Sequence, residues 1–313
     1  MKRELAELYA VYGPCGREKK IAKELSKLIS PFADELSVDL MGNLITVKKG
    51  VSGKNVMLSC PMDRPGLVTV DYNDSYLRSD FIGDLSFEAV HGLTAMLEDG
   101  TEMPVYNTDA AGKKLFETSV GISLDQVSDC GQYGRTAQFS MLKSVYCEDN
   151  EGVTAFGAGS VACCETLINV LKKCKTDHTV TVVFTAMSEI NDKGLGSALY
   201  EVKPDAWIEL RLKEAEPGRV ELGKGPVAEI SMMRRRGECR ILTENTENTG
   251  VQYLMMNGQV KNPVFGYKRE RYGYAEYYPL GLPVTGLKTK DERCLWSDIE
   301  ATADFIASLL ERV

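Results

Sequence analysis

Apolar residues recur at helical spacing at the start of the chain, with one interruption. The two series are Leu5, Leu8 and Val11, and then Ile21, Leu25, Leu28 and Ile29. Between them lies Gly13-Pro14-Cys15-Gly16, a run that breaks helices. The pattern predicts two opening helices joined by a tight connection.

The period then changes to that of strands. Residues 34–49, DELSVDLMGNLITVKK, alternate apolar and polar positions on both sides of Met41-Gly42-Asn43, which predicts a hairpin. Residues 55–60, NVMLSC, are almost continuously apolar. A run of this kind is typical of a strand buried on both faces of a mostly parallel sheet.

The segment from about Val70 to Val153 differs in composition and in hydrophobic period. It is dense in Gly, Asp and Asn and contains short alternating runs such as EMPVY and RTAQFSMLK, with few helical periods. We interpret residues 70–153 as an inserted all-β domain. Residues 1–69 and 154–313 then form one discontinuous α/β domain.

An alternation of helices and strands resumes from Ser160. The predicted elements are a helix at VACCETLINVLKK, a strand at HTVTVVFTAM, a helix ending near Tyr200, strands at AWIELRL and VAEISMM, a helix near residues 246–257, a Tyr-rich irregular stretch, a strand at PVTGLK, and a closing helix at SDIEATADFIASLLERV. This order predicts an α/β fold with a mostly parallel central sheet and helices on both faces, interrupted by the β domain.

Composition excludes some classes of function. The 313 residues carry a net charge of −8, whereas binding to nucleic acid depends on clustered cationic side chains, so no nucleic-acid partner is expected. No apolar run is long enough to span a bilayer, and MKRELAELYAVYG lacks the apolar core of a signal peptide. Nine cysteines without a C-x-x-C motif indicate reduced thiols. We therefore expect a cytoplasmic protein that does not associate with membranes.

Candidate chemistry follows from the predicted sheet. Ligands of open parallel sheets bind at the carboxyl ends of the strands. At those ends the sequence places two carboxylates, Asp63 and Glu189, and two cations, Arg211 and Lys288. The only histidines are His91, in the predicted β domain, and His178, which precedes its strand; we interpret both as surface residues.

Several motifs in order along the chain resemble those of the dinuclear-zinc aminopeptidases that assemble as tetrahedral particles, some of which are labelled endoglucanases. The motifs are GPCGRE (13–18), VDLMGNLI (38–45), LSCPMDRPG (58–66), SVGISLDQVSDCGQYG (119–134), FTAMSEINDKGLGSA (184–198), KPDAWIEL (203–210), LGKGP (222–226) and SDIEATADFIASLL (297–310). The resemblance implies an α/β peptidase domain carrying an inserted β domain that makes subunit contacts. It also implies a homo-oligomer, from a dimer up to twelve subunits.

The same resemblance assigns roles to positions in the cleft, and most of them are changed here. Pro61 stands in place of a zinc-binding histidine, with Asp63 as the retained neighbouring acid. Ser160-Val161-Ala162 replaces the run that holds the metal-bridging aspartate. Ser188 stands at the general-base position and Glu189 at the adjacent ligand position.

The last two ligand positions carry cations. Arg211 replaces an aspartate, with Glu209 two residues earlier on the same face of the strand, and Lys288 replaces a histidine. Glu189 is therefore the only retained ligand position, and neither a metal nor another cofactor is expected. We hypothesise that Arg211 or Lys288 pairs with Glu189 or Asp63, because fixed cations would balance acids that two metals otherwise neutralise.

Simpler interpretations of single residues stand beside this hypothesis. Asp63-Arg64 at a strand end is typical of a loop hydrogen-bonder, and Ser188-Glu189 would suit a helix cap. Arg234-Arg235-Arg236 follows a predicted strand and would approach Arg211, although a solvated basic turn is the simpler interpretation.

Three functions remain open at this stage. The first is a catalytically degenerate peptidase whose cleft binds a peptide or an anionic small molecule. The second is an active metallo-aminopeptidase that uses zinc with rearranged ligands, namely Glu189, Asp63, Glu209 and cysteine thiolates. The third is a metal-free hydrolase with a serine or cysteine nucleophile; Cys60 and the pair Cys163-Cys164, at a helix N-terminus that lowers a thiol pKa, are its candidates.

Overall fold

The computed structural model describes residues 2–72, 75–109, 111–116, 118–124, 138–231, 236–249, 251–256 and 275–313. Within those ranges the helices, numbered in chain order, are α1 (Lys2–Ala10), α2 (Lys19–Ile29), α3 (Phe87–Val90), α4 (Ala158–Lys173), α5 (Lys193–Val202), α6 (Arg236–Thr249) and α7 (Trp296–Leu310), with a 3₁₀ turn at Ser30–Phe32. The two opening helices match the prediction. Helix α2 buries Ile21, Leu25 and Ile29 on one face, as their spacing requires.

An eight-stranded sheet forms the centre of the larger domain. Its strands, also numbered in chain order, are β1 (Glu35–Val38), β2 (Leu44–Lys48), β3 (Asn55–Pro61), β12 (Thr179–Thr185), β13 (Ala206–Glu214), β14 (Val227–Ser231), β15 (Tyr253–Met256) and β16 (Glu276–Val284). They lie in the order β1-β2-β12-β3-β13-β16-β14-β15. The central pairs β12–β3, β3–β13 and β13–β16 are parallel, and β1–β2 is the predicted antiparallel hairpin.

A closed barrel forms the second body of the fold. It consists of β4 (Gly66–Tyr72), β5 (Tyr76–Ile82), β6 (Thr94–Met96), β7 (Glu102–Tyr106), β8 (Val120–Ser123) and β9 (Phe139–Lys143). Leu67, Leu77, Val105 and Ile122 are among the residues of its own apolar core. The mixed α/β class with a separate β body is thus confirmed.

The insertion boundaries differ from the prediction at both ends. Position 70 lies inside β4, so the barrel begins at Gly66. Position 153 lies inside β11 (Gly152–Thr154), which joins β10 (Cys147–Glu148) and β17 (Arg293–Leu295) in a three-stranded sheet. This small sheet ties the end of the insertion to a strand near the C-terminus, a long-range pairing that local composition does not reveal.

Two further predictions were wrong. The helix predicted near 246–257 ends at Thr249, and Tyr253–Met256 is a strand; short apolar runs do not distinguish the two structures by periodicity. The strand predicted at PVTGLK lies earlier, at Glu276–Val284, and turns follow Thr285. The rest of the Tyr-rich stretch lies largely outside the described residues, as do Arg234 and Arg235.

The most buried helix, α4, lies against β3 and β13 of the sheet and against α7. Its residues from Ala158 to Leu171 are all buried, and they include the polar side chains of Glu165, Thr166 and Asn169. None of the helices in the described ranges has the length and apolar character needed to span a bilayer.

Candidate functional site

The parallel pairing brings the ends of several strands to one edge of the sheet. Thr185, the last residue of β12, is aligned with Pro61, the last residue of β3, and Glu209 of β13 is aligned with Ser59. The turns that follow these strands therefore converge, as the sequence predicted for Asp63, Ser188 and Glu189.

The turn after β12 has an unusual backbone. Met187, Asn191 and Asp192 have φ values of 53°, 56° and 51°, in the left-handed region that residues with side chains rarely adopt. Buried acceptors hold this turn in place. The Ser188 amide donates to Asp63 Oδ2 at 3.0 Å and the Glu189 amide to the same oxygen at 3.4 Å. Strained backbone held in this way is common at functional sites.

An ion pair lies at the centre of the cleft. Lys288 Nζ is 2.8 Å from Glu189 Oε2, and the two side chains are 27% and 17% exposed. Lys288 is itself held in a left-handed conformation with φ of 61°. A small cavity beside the pair is lined by Ser160 and Glu292 as well. The predicted pairing of Lys288 with Glu189 is present.

Arg211 makes different contacts from those predicted. Its Nε donates to Glu209 Oε1 at 2.7 Å, and its Nη2 donates to Asp192 Oδ1 at 2.7 Å. The other oxygen of Glu209 accepts from the hydroxyl of Tyr277. The two acids hold the pKa of Arg211 above its usual value despite burial. Of the two cations named in the hypothesis, Lys288 makes the pair with Glu189, whereas Arg211 pairs with Glu209, which lies on the same strand face two residues away.

Asp63 has no side-chain cation as a partner among the described residues. It is fully buried, and burial raises its pKa to about 7. Its neighbour Arg64, also buried, turns away to donate to the Val11 carbonyl at 2.6 Å and stacks over Tyr9. The simpler interpretation of Asp63 as a loop hydrogen-bonder therefore describes its contacts.

Pro61 and Val161 supply no donor atoms to the cleft. Pro61 ends β3, and Val161 is 3% exposed within the apolar core, one turn into α4. Ser188 does not cap the following helix: the residue before α5 is Asp192, which makes no capping side-chain bond.

The cysteine candidates are buried in the core. Cys163 lies in the second turn of α4 with no exposed surface, and burial raises its pKa well above the usual range. Burial also raises the pKa of Cys60, which is 1% exposed. The predicted lowering of a thiol pKa by the helix dipole is therefore wrong for Cys163, because loss of solvent outweighs the dipole.

Sequence reasoning missed three acids and a phenol that make hydrogen bonds around the cleft. They are Glu18, Asp39, Asp192 and Tyr277. Glu292 is fully buried and accepts from the Gly159 amide at 2.7 Å and the Lys288 amide at 2.8 Å. Glu18 accepts from the Met187 amide at 2.9 Å. Glu18 and Asp192 stand within motifs already noted, GPCGRE and FTAMSEINDKG, but their partners lie far away along the chain.

One motif, VDLMGNLI, supplies a side chain that holds the turn after β12 in place. Asn43 of VDLMGNLI is fully buried, accepts from the Ala186 amide at 2.8 Å and donates to the Gly194 carbonyl at 2.8 Å. It thus fixes both ends of the turn after β12. A side chain at position 194 would lie 2.4 Å from the Asn43 oxygen, which explains the glycine there.

The histidines lie away from the cleft. His178 precedes β12, at the opposite end of the sheet, and its Nδ1 is 2.7 Å from Ser52 Oγ. His91 follows α3 between barrel strands and is exposed.

The fold is that of the tetrahedral aminopeptidases. An aminopeptidase from Desulfurococcus kamchatkensis superposes with a TM-score of 0.85 at 18% identity, covering 99% of this chain and 94% of that one. The TET1 peptidase of Pyrococcus horikoshii, described as assembling into a tetrahedron or a large octahedral shell, gives 0.76 at 20% identity over 100% and 99%. A curated relative from Acetivibrio thermocellus, named as an aminopeptidase, is 25% identical over 271 residues, 80% of each chain.

No protein-family model matches the chain. The structural matches confirm, at the level of the fold, the resemblance drawn from the motifs.

Proposed function

We propose that this protein is a catalytically degenerate relative of the dinuclear-zinc aminopeptidases, which retains their fold and cleft without metal-dependent peptide hydrolysis. The observation that carries the proposal is the ion pair at the cleft. Lys288 Nζ lies 2.8 Å from Glu189 Oε2, the carboxylate at the only retained ligand position.

The side chains at the cleft do not fit a pair of zinc ions. Zinc requires thiolate, imidazole or carboxylate donors aimed at one point. Pro61 and Val161 offer none, and a protonated Lys288 is a cation without a lone pair. Glu209 and Asp192 are both committed to the guanidinium of Arg211. Each of these acids is thus already paired with a cation: Glu189 with Lys288, and Glu209 and Asp192 with Arg211.

The general-base position supports the same conclusion. Hydrolysis in such a site needs a group that takes a proton from water near neutral pH. Ser188 offers a hydroxyl, which cannot do so, and its amide is used to hold Asp63. Ser188 therefore does not supply the general base that this hydrolysis requires.

The function that we propose for this cleft is ligand binding. Lys288 and Arg211 suit the carboxylate of a peptide or another small anion, and both remain partly exposed, with 27% and 35% of their side chains accessible. We propose further that the chain forms a homo-oligomer, in keeping with the assemblies named for its structural relatives, and acts in the cytoplasm without nucleic-acid or membrane partners.

The alternatives fit these contacts less well. An active enzyme with rearranged ligands would use Glu189, Asp63, Glu209 and cysteine thiolates. Two of these, Glu189 and Glu209, are each bonded to a cation. A cysteine hydrolase would need an accessible thiolate, whereas Cys60 and Cys163 are buried with raised pKa values.

Metal content and aminopeptidase activity should be measured on protein purified without chelator. We expect fewer than two equivalents of zinc and no chelator-sensitive release of a chromogenic amine from aminoacyl substrates. The matched control is Glu189→Gln, which should behave as the parent. Two equivalents of zinc, with a chelator-sensitive activity that Glu189→Gln abolishes, would overturn the proposal.

A further inference from the structure

Beneath the cleft, three segments bring together Cys15, Glu18 and Asp63, which we call the buried cluster. The thiol and one oxygen of each carboxylate lie within 4.8 Å of one another. Their residues are 0%, 5% and 0% exposed. Cys15 belongs to the turn before α2, Glu18 directly precedes α2, and Asp63 follows β3.

Each carboxylate is anchored through one oxygen. Glu18 Oε1 accepts from the Gly16 amide at 2.6 Å and the Met187 amide at 2.9 Å. Asp63 Oδ2 accepts from the Ser188 and Glu189 amides. The other oxygen of Asp63, Oδ1, is buried without a hydrogen-bond partner among the described residues. Such an atom costs free energy and points to a ligand.

The charges around the buried cluster also favour a bound cation. Neither Glu18 nor Asp63 has a lysine, arginine or histidine nitrogen within the 4.0 Å of a salt bridge in the described part of the chain. Two acids held this close, with a thiol beside them, would be stabilised by a cation.

We propose that the buried cluster is a mononuclear metal site, distinct from the cleft, that takes a zinc-like divalent ion. The thiolate favours zinc over calcium or magnesium, which prefer oxygen donors alone. Binding forms one metal–sulfur and two metal–oxygen bonds and releases to solvent the thiol proton and any proton held by Asp63. Zinc bonds of about 2.0 to 2.3 Å are compatible with donor atoms this close after small side-chain rotations.

The position of the cluster assigns the ion a structural role. It would join the turn before α2, the end of β3 and the turn after β12, which Met187 and Ser188 link to Glu18 and Asp63. All three donors are buried, so the ion would stabilise the fold rather than meet a substrate. The inference does not depend on the proposed function of the cleft.

Cobalt(II) and zinc(II) titrations of chelator-treated full-length protein test the site. We expect one equivalent of cobalt to bind with a thiolate-to-cobalt charge-transfer band, and zinc to displace it and raise the thermal midpoint. Cys15→Ser should abolish the band and weaken binding by more than about 100-fold, since even outer-shell partners contribute about 10–100-fold. Cys60→Ser, which changes a buried thiol outside the cluster, should keep the band.

Glu18→Gln provides a second variant, because its amide oxygen can still accept from Gly16 and Met187. It should fold, keep the thiol and bind cobalt more weakly. Absence of a cobalt band in the parent, or a band that survives Cys15→Ser, would overturn the inference while leaving the cleft proposal intact. Two equivalents of zinc with chelator-sensitive hydrolysis would instead overturn the cleft proposal, and one Cys15-dependent equivalent without hydrolysis supports both.

Discussion

The cleft and the buried cluster lie on either side of the same turn, yet they hold their acids in different ways. In the cleft, Glu189 is paired with Lys288, and Glu209 with Arg211. In the cluster, Glu18 and Asp63 accept from backbone amides and have no side-chain cation as a partner among the described residues. An acid paired with a side-chain cation has little use for a metal, whereas an acid held by amides through one oxygen keeps its second oxygen available.

Burial alone does not distinguish the two regions, because both contain carboxylates with little exposed surface. What separates them is whether a fixed positive charge lies within reach of each acid. Four substitutions would break or sharpen the comparison.

Arg211→Met should have the largest effect. It would leave Glu209 and Asp192, both 7% exposed, without their cation. We expect a loss of about 2 to 3 kcal/mol in the free energy of unfolding, below the full cost of an unpaired buried charge because the Arg211 side chain is partly exposed. Urea denaturation measures it. Lys49→Met, which breaks an exposed pair with Glu35, is the control and should have no measurable effect.

Glu292 lies in the cleft but is held by amides, as the cluster acids are. Burial raises its pKa to about 7, above the unfolded value of 4.5. Between those values the folded chain retains a proton that the unfolded chain has lost, so stability should fall as pH rises, by up to about 1.4 kcal/mol per pH unit.

Burial also raises the pKa of Asp63, so both acids contribute to the fall of stability with rising pH. Glu292→Gln removes one of the two contributions and should roughly halve the combined slope in metal-free protein. Urea denaturation between pH 4.5 and 7 measures the slope for both proteins. An unchanged slope in Glu292→Gln would mean that Glu292 is already ionised in this range.

Gly83→Ala tests how tightly the barrel closes over the ion pair. A Cβ at this position would lie 2.6 Å from Glu189 Oε2, and the backbone φ is +103°. Gly53→Ala is the matched control, because its φ is +79° and its Cβ would meet nothing within 4 Å. Both should lose about 1 kcal/mol for the left-handed backbone. Gly83→Ala should lose about 1 kcal/mol more on thermal unfolding by displacing the carboxylate from Lys288. Equal losses would show that Glu189 moves aside freely.

Asp63→Asn should have the smallest effect in metal-free protein. The amide oxygen can still accept from Ser188 and Glu189, and removal of the charge ends the repulsion by Glu18. We expect a change in unfolding free energy within about 1 kcal/mol of the parent. A loss larger than that of Arg211→Met would contradict the distinction between the two regions.

Much of the fold could be predicted from the sequence because its signals are local. The spacing of Ile21, Leu25 and Ile29 fixes a buried helix face, and the run at 55–60 gives a strand covered on both sides. The edge carrying Asp63 and Glu189 followed from the rule for parallel sheets, and motif order led to the aminopeptidase fold. The predicted boundaries and element types were wrong at β4, β11 and Tyr253–Met256, whose strand partners are distant along the chain.

The sequence by itself thus determined which residues reach the cleft edge and that cations stand there beside acids. Only the tertiary structure decided the pairs. Lys288 bonds Glu189, which is 99 positions away, and Arg211 bonds Glu209 and Asp192. Asp63 accepts from amides of a turn 125 positions away. The physical reason is that an ion pair or a hydrogen bond depends on separations of about 3 Å, which chain topology sets and residue type does not.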